Sequence, residues 1–200
     1  MHAPTQLTAF AGPHKVASGT LHAIAQTLKE LVTRDPAAQI LIFDDTSGSQ
    51  VDLNLHGSLT EVLQRLPREP APAPREDAPP PARTAGRPKL GVVAREITLL
   101  PRHWEWLATQ PGGASVALRK LVEHAQRGNR AHDEQRQARE AAYKVMSALA
   151  GDAPGFEEAS RALFAGKQPA FLACVQEWPT DMREHVLQLA QGGWSGSEER

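Results

Sequence analysis

Hydrophobic and polar positions change period several times along this chain, and each change marks an element. Leu7–Phe10 reads as a short strand ended by Gly12-Pro13, with a second short run around Val16 placed to pair with it. Ser18 then stands as a helix cap before Leu21, Ile24, Ala25, Leu28 and Val32, an apolar stripe at three- and four-residue spacing that Asp35-Pro36 stops. Ile40-Leu41-Ile42-Phe43 is continuously apolar, which places it centrally in a sheet with the helix over one face. The residues from Asp44 to Ser49, with Gly48, supply a hairpin turn, and Val51 to His56 alternates as a returning strand with Val51, Leu53 and Leu55 inward. Ser58 caps a last short helix carrying Leu59, Val62, Leu63 and Leu66. Residues 1–66 thus form a small α/β module of strand, helix, β-hairpin and helix.

Between 67 and 89 the pattern vanishes. Eight prolines fall in 67–88, with almost nothing apolar to bury, as in a semi-rigid, extended linker. Periodicity returns with a strand over 96–100, followed by a helix from Pro101 through Trp104, Trp106 and Leu107 that Pro111-Gly112-Gly113 terminates. Ser115 caps a second helix with Val116, Leu118, Leu121, Val122 and Ala125 on its buried side, so 90–127 is a strand-helix-helix unit. Beyond Gly128 a polar helix start leads into Ala141, Val145, Met146 and Leu149 and stops at Gly151. Three helices follow, 155–164, 169–177 and 179–190, with Pro169 and Pro179 in first turns and Gly166 as a stop. Residues 128–191 read as a helical bundle and 192–200 as a frayed tail. The fold class is α+β, with a mainly helical C-terminal part that opens on a short strand.

Composition narrows the function classes. No stretch approaches the roughly 20 apolar residues of a membrane span, and the N-terminus lacks a basic start followed by an apolar run, so a cytoplasmic, membrane-free protein is expected. One cysteine, Cys174, excludes an intrachain disulfide and reads as a core thiol. The net charge of −1 conceals an uneven distribution: residues 83–144 carry +6 and residues 145–200 carry −4. The middle third is therefore what a polyanion would meet first.

The catalytic signals are weak. No Gly-rich phosphate loop, nucleophile elbow or Cys/His pair is present, the eight histidines show no metal spacing, and no cofactor motif appears. Asp44, Asp45 and Asp52 match no calcium loop and suit turn hydrogen bonding. Asp181, Glu184 and His185 on one short helix read as surface electrostatics. An enzyme would need residues that converge only in space.

Binding signals concentrate in the middle. Strand, two-turn helix, glycine break and second helix over 95–127 resembles the ribbon-helix-helix class of DNA-binding domains, in which two chains pair strands in the major groove and a helix N-terminus meets a phosphate. That resemblance puts Ile97 and Leu99 in the core, Glu96 and Thr98 on the groove face, and Gly112, Gly113 and Ser115 at the inter-helix turn. Glu96 and the extra apolar Leu100 depart from the pattern. Gly86-Arg87-Pro88-Lys89 resembles the core of a minor-groove hook, with Ala85 where a basic residue is usual. Arg119, Lys120, Arg127, Arg130, Arg136 and Arg139 suit phosphate contacts if they share a face, while Glu123, Asp133, Glu134 and Glu140 between them suit an ordinary solvated helix.

Over essentially its whole length the chain resembles a bacterial family known only as a domain of unknown function. The stretches that carry this are 41–45 with Gly48, 86–96, 100–107, 111–115 and 150–158. The resemblance implies bacterial origin and a shared architecture, with no activity to transfer. The leading expectation is a dimeric DNA-binding or transcription-associated protein using Arg87, Lys89, Arg95, Thr98, Arg102, Ser115, Arg119 and Lys120, with the N-terminal module serving self-association or a protein partner. The rival is a protein-protein adaptor, and a third reading is a small enzyme with a spatially assembled site.

Overall fold

A computed structural model describes residues 5–67, 93 and 95–194. The described residues form two compact units, one holding those up to 67 together with those from 130 onward, the other holding those from 93 to 129. Among them are a three-stranded sheet and seven α-helices, an α+β fold with the strands first. None of these helices is long and apolar enough to cross a membrane.

In the first unit, β1 (Leu7–Ala11) and β2 (His14–Gly19) form a hairpin around Gly12, and β3 (Ile40–Asp44) adds to the other side of β1. All pairing is antiparallel in the order β2-β1-β3, with an irregularity opposite Ala9/Phe10. The apolar run 40–43 therefore lies at an edge instead of the centre. Its continuity has another cause, since β1 and β3 are covered on both faces. Leu7, Ala9 and Ile42 join Ile24 and Leu28 in one core, whereas Phe10 and Phe43 point the other way into a second.

The first core lies under α1 (Leu21–Arg34), an amphipathic helix capped by Thr20, whose hydroxyl accepts from Ala23 N. The cap thus falls two residues beyond Ser18. Residues 51–55 make no strand: a single bridge, Phe43 to Gln50, starts the return and then pairing ceases. Their inward and outward alternation survives, with Val51, Leu53 and Leu55 packed against the α1 core. α2 (Leu59–Arg65) follows with a reciprocal cap between Ser58 and Glu61, and the hydrogen bonds from Ser58 hold the Glu61 carboxyl below its usual range.

The second core is built by helices distant in sequence. α4 (Gly113–Ala150) supplies Ala141, Ala142, Val145 and Met146 from its last turns. Around these pack α5 (Phe156–Phe164), α6 (Gln168–Val175) and α7 (Thr180–Ala190), bringing Leu163, Phe171, Val175, Met182 and Val186. Gly166, with φ +68°, follows α5 as its stop, and Pro169 lies in the first turn of α6, as the sequence suggests. Trp178, at the α6–α7 corner, is buried and donates Nε1–H to Pro154 O at 2.9 Å. Residues 1–66 and 128–191, read from sequence as separate bodies, here share this core through Phe10 and Phe43. The linear pattern marks a face as apolar without naming what covers it.

The contact that seats the sheet on α4 is unusually close. A Cβ on Gly48 would lie 2.2 Å from Ala141 O and 2.7 Å from Ala141 Cα, and Gly48 also has φ +65°. Lys144, one turn along, donates Nζ to Ser47 O at 3.1 Å and to Ser49 Oγ at 3.4 Å, fastening the same turn. Gly48→Ala is expected to cost about 3 kcal/mol, combining overpacking against rigid backbone with left-handed strain. Gly12→Ala, with φ +58° but open space around its added carbon, carries the strain alone and should lose about 1 kcal/mol. Urea denaturation of the two variants separates these effects, and equal losses would refute the close-packing account.

Candidate functional site

Of the basic stretch, the described residues up to 129 lie in the second unit and those from 130 in the first. Residues 95–100 make no β-ladder, so the strand expected over 96–100 is not formed. A strand exists only by pairing, and no strand among the described residues pairs with it. Ile97, expected in a core, is 49% exposed, while Leu99 is half-buried. α3 (Pro101–Ala108) begins with proline in its first turn and buries Leu107. Gly112 (φ +85°) and Gly113 (φ +77°) make the break before α4.

α4 departs from the sequence reading in two ways. It starts at Gly113, which puts Ser115 inside the first turn instead of at the cap, with its carbonyl accepting from Arg119 Nε at 3.1 Å. It also continues through Gly128 to Ala150, merging two expected helices into one of 38 residues. A single glycine costs only about 1 kcal/mol against alanine in a helix. Around it stand good helix formers and the ion pairs Arg130–Glu134 (2.8 Å), Arg136–Asp133 (3.1 Å) and Arg136–Glu140 (3.4 Å).

The cations divide at residue 129. Arg130 and Arg136 are paired with the acids just named, and those pairings raise both guanidinium pKa values: Glu134 is the chief cause for Arg130 and Asp133 for Arg136. Arg139 donates Nε to Gly193 O at 2.7 Å and an η nitrogen to Phe164 O at 3.4 Å, tying the 3-10 turn Gln191–Gly193 and the end of α5 to α4. By contrast Arg95, Arg102, Arg119, Lys120 and Arg127 are exposed, and none has a carboxylate partner among the described residues. Arg119 and Arg127 each give one N–H to a carbonyl of their own helix, leaving their outer nitrogens to solvent.

Of the residues singled out from sequence, Ser115, Arg119 and Lys120 share the first turns of α4, Arg102 lies on α3, and Arg95 and Thr98 lie before α3 in a stretch without regular secondary structure. Arg87 and Lys89 fall outside the described residues. Large apolar side chains are exposed along the same stretch: Val93, Ile97, Leu100, Trp104, Trp106, Leu121 and Val122, with Trp106 at 50%.

One polar cluster in the first unit escaped the sequence reading. Asp44 behaves as a turn residue, its Oδ1 accepting from Thr46 N and Ser47 N, both at 2.8 Å. Asp45 does not. Its Oδ2 accepts from Thr8 Oγ1 at 3.1 Å, while its buried Oδ1 lies 3.7 Å from Nε2 of His185. His185, expected on the surface, is only 4% exposed and stacks obliquely on Phe10 at 5.3 Å. The available signal was its phase, since Met182, His185, Val186 and Leu189 mark one helical face. Asp181 turns instead toward β2, accepting from Lys15 N at 2.9 Å with His14 Nδ1 at 3.9 Å. Among the described residues no three His, Cys, Asp or Glu side chains are placed to hold a metal ion.

A family model described as "uncharacterized protein conserved in bacteria (DUF2239)" matches residues 6–190. No curated protein and no solved structure matches the chain.

The division of the cations has a measurable consequence. Arg119→Ala should leave stability within about 0.5 kcal/mol of the parent, as for an exposed side chain bonded only to its own helix. Arg139→Ala should lose about 1 kcal/mol or more, because two carbonyls lose their donor. Thermal or urea melts giving the reverse order would show that the cations of the second unit are structural after all.

Proposed function

We propose, from the premise that the chain belongs to this family of uncharacterised bacterial proteins, that it is a DNA-binding or transcription-associated protein working as a homodimer through residues 95–127. The observation that carries the reading is the coincidence, in one stretch, of exposed large apolar side chains and cations without carboxylate partners. The apolar group suits burial against a second copy. The backbone groups of residues 95–99 make no hydrogen bond among the described residues, and a two-fold antiparallel pairing with the same residues of another chain would satisfy them. Arg95, Arg102, Arg119 and Lys120, with the hydroxyls of Thr98 and Ser115, are then the groups for phosphate contact. Arg87 and Lys89 extend the basic run on the N-terminal side.

A second reading, a protein-protein adaptor, has its own support. Trp104 and Trp106 are both exposed, and tryptophan is prominent among residues that anchor protein interfaces. Glu96, Glu105 and Glu123, interspersed among the cations, also lower the potential that a polyanion would feel.

Duplex DNA titrated with the full chain at two salt concentrations tests the first reading. Binding should weaken steeply with salt, and Arg119→Ala with Lys120→Ala should lower the log–log salt slope by roughly 0.9 for each phosphate contact removed. Light scattering should give a dimer that Trp106→Glu dissociates. Absence of binding at low salt removes the nucleic-acid reading, and a monomer removes its paired-strand form.

A further inference from the structure

We propose that the Asp45–His185 pair is an acid-operated latch between the sheet and α7, closed while the imidazole is neutral and opened when it takes up a proton. The geometry carries this. Nε2 and Oδ1 approach to 3.7 Å, beyond hydrogen-bond reach, and both atoms are buried with no hydrogen-bond partner among the described residues. A neutral imidazole tolerates that placement at the modest cost of one unsatisfied group, whereas an imidazolium there would carry a buried charge with Asp45 Oδ1 at ion-pair distance but outside hydrogen-bond range. Asp45 is not free to close the gap, because its other oxygen is held by Thr8 on β1 and its backbone N–H donates to Gln6 O at 2.9 Å. The apolar face of Phe10 lies against the ring on another side.

The surrounding charges offset that burial only in part. Lys15 on β2 and Asp45 are the charged groups whose fields reach the imidazole. His14 and Asp181 face each other at 3.9 Å on the β2–α7 side, Asp44 is turned into its own loop, and Glu184 is exposed on α7. Lys144 on α4 is committed to Ser47 and Ser49. Burial is the largest influence and lowers the His185 pKa from its ordinary 6.5; Asp45 raises it in part, and Lys15 lowers it again. The opened chain, with an ordinary imidazole, therefore holds more protons than the closed one below pH 6.5. Closure is insensitive to pH above that value and weakens as pH falls below it. Opening would free the Lys15–Asp181 bond and expose Phe10.

Amide hydrogen exchange on the full chain at pH 7.5 and 5.5, expressed as protection factors, tests the latch. Amides of β1 and α7 should lose between about two- and tenfold of their protection on acidification, tenfold being the limit for one proton over one pH unit below the ordinary value. His185→Gln should abolish the difference, and His14→Gln should retain it. An equal loss in His185→Gln, or none in the parent, overturns the proposal. If His185→Gln fails to fold, the imidazole of the parent decides by NMR: titration below 6.5 supports the latch, and titration at or above 6.5 in the closed form refutes it.

Discussion

A three-stranded sheet with two apolar faces cannot remain stable in water with one of them open, and this constraint organises the first unit. Residues 7–44 provide cover for one face only, through α1 over Leu7, Ala9 and Ile42. The other face, bearing Phe10 and Phe43, must be covered from elsewhere, and the last turns of α4 with α5, α6 and α7 do so. Each fully buried aromatic of this kind contributes on the order of 2–3 kcal/mol by removal from water. The union of the two sequence segments is thus a matter of burial, with few polar groups involved.

Those few polar groups act where the surfaces meet. Gly48 permits backbone-to-backbone approach at Ala141, which any side chain would prevent, and Lys144 closes two hydrogen bonds across it. Arg139, five residues earlier on the same helix, secures the end of the described chain through Gly193 O. α4 therefore holds an N-terminal turn and a C-terminal turn at once. The second unit contrasts with this arrangement, for its apolar side chains are largely exposed and its cations face solvent. Most large apolar side chains of the first unit are buried or half-buried, whereas most of those described in the second are exposed.

How much of this the sequence discloses depends on whether the determining partner is near or far along the chain. Local signals are legible: the α1 stripe, the Ser58 cap, Pro101 and Pro169 at helix starts, and Gly151 just past the end of α4. Non-local ones are not. Ile40 to Phe43 reads as doubly buried, yet no periodicity tells an edge strand with two covers from a central one. The alternation at 51–56 is real in burial but not in pairing, because a strand needs a neighbour with free backbone groups. Residues 95–100 carry strand-like alternation and find no such neighbour among the described residues. Gly128 suggests a break, but its cost is small beside the helix propensity on either side. His185 is legible only by its phase, and its partner Asp45 stands in a loop where aspartate ordinarily serves the turn itself.

The bond from Lys15 N to Asp181 joins positions 166 residues apart. During synthesis at about 5–20 residues per second, the hairpin leaves the ribosome on the order of ten to thirty seconds before its partner helix exists. Until α4 to α7 have emerged, the native cover of Phe10 and Phe43 is incomplete, and nascent chains stalled before α7 would display an adhesive surface of the sort that chaperones recognise. Folding of this unit is thereby tied to completion of its last helix, which makes the C-terminal turns a checkpoint for the N-terminal strands.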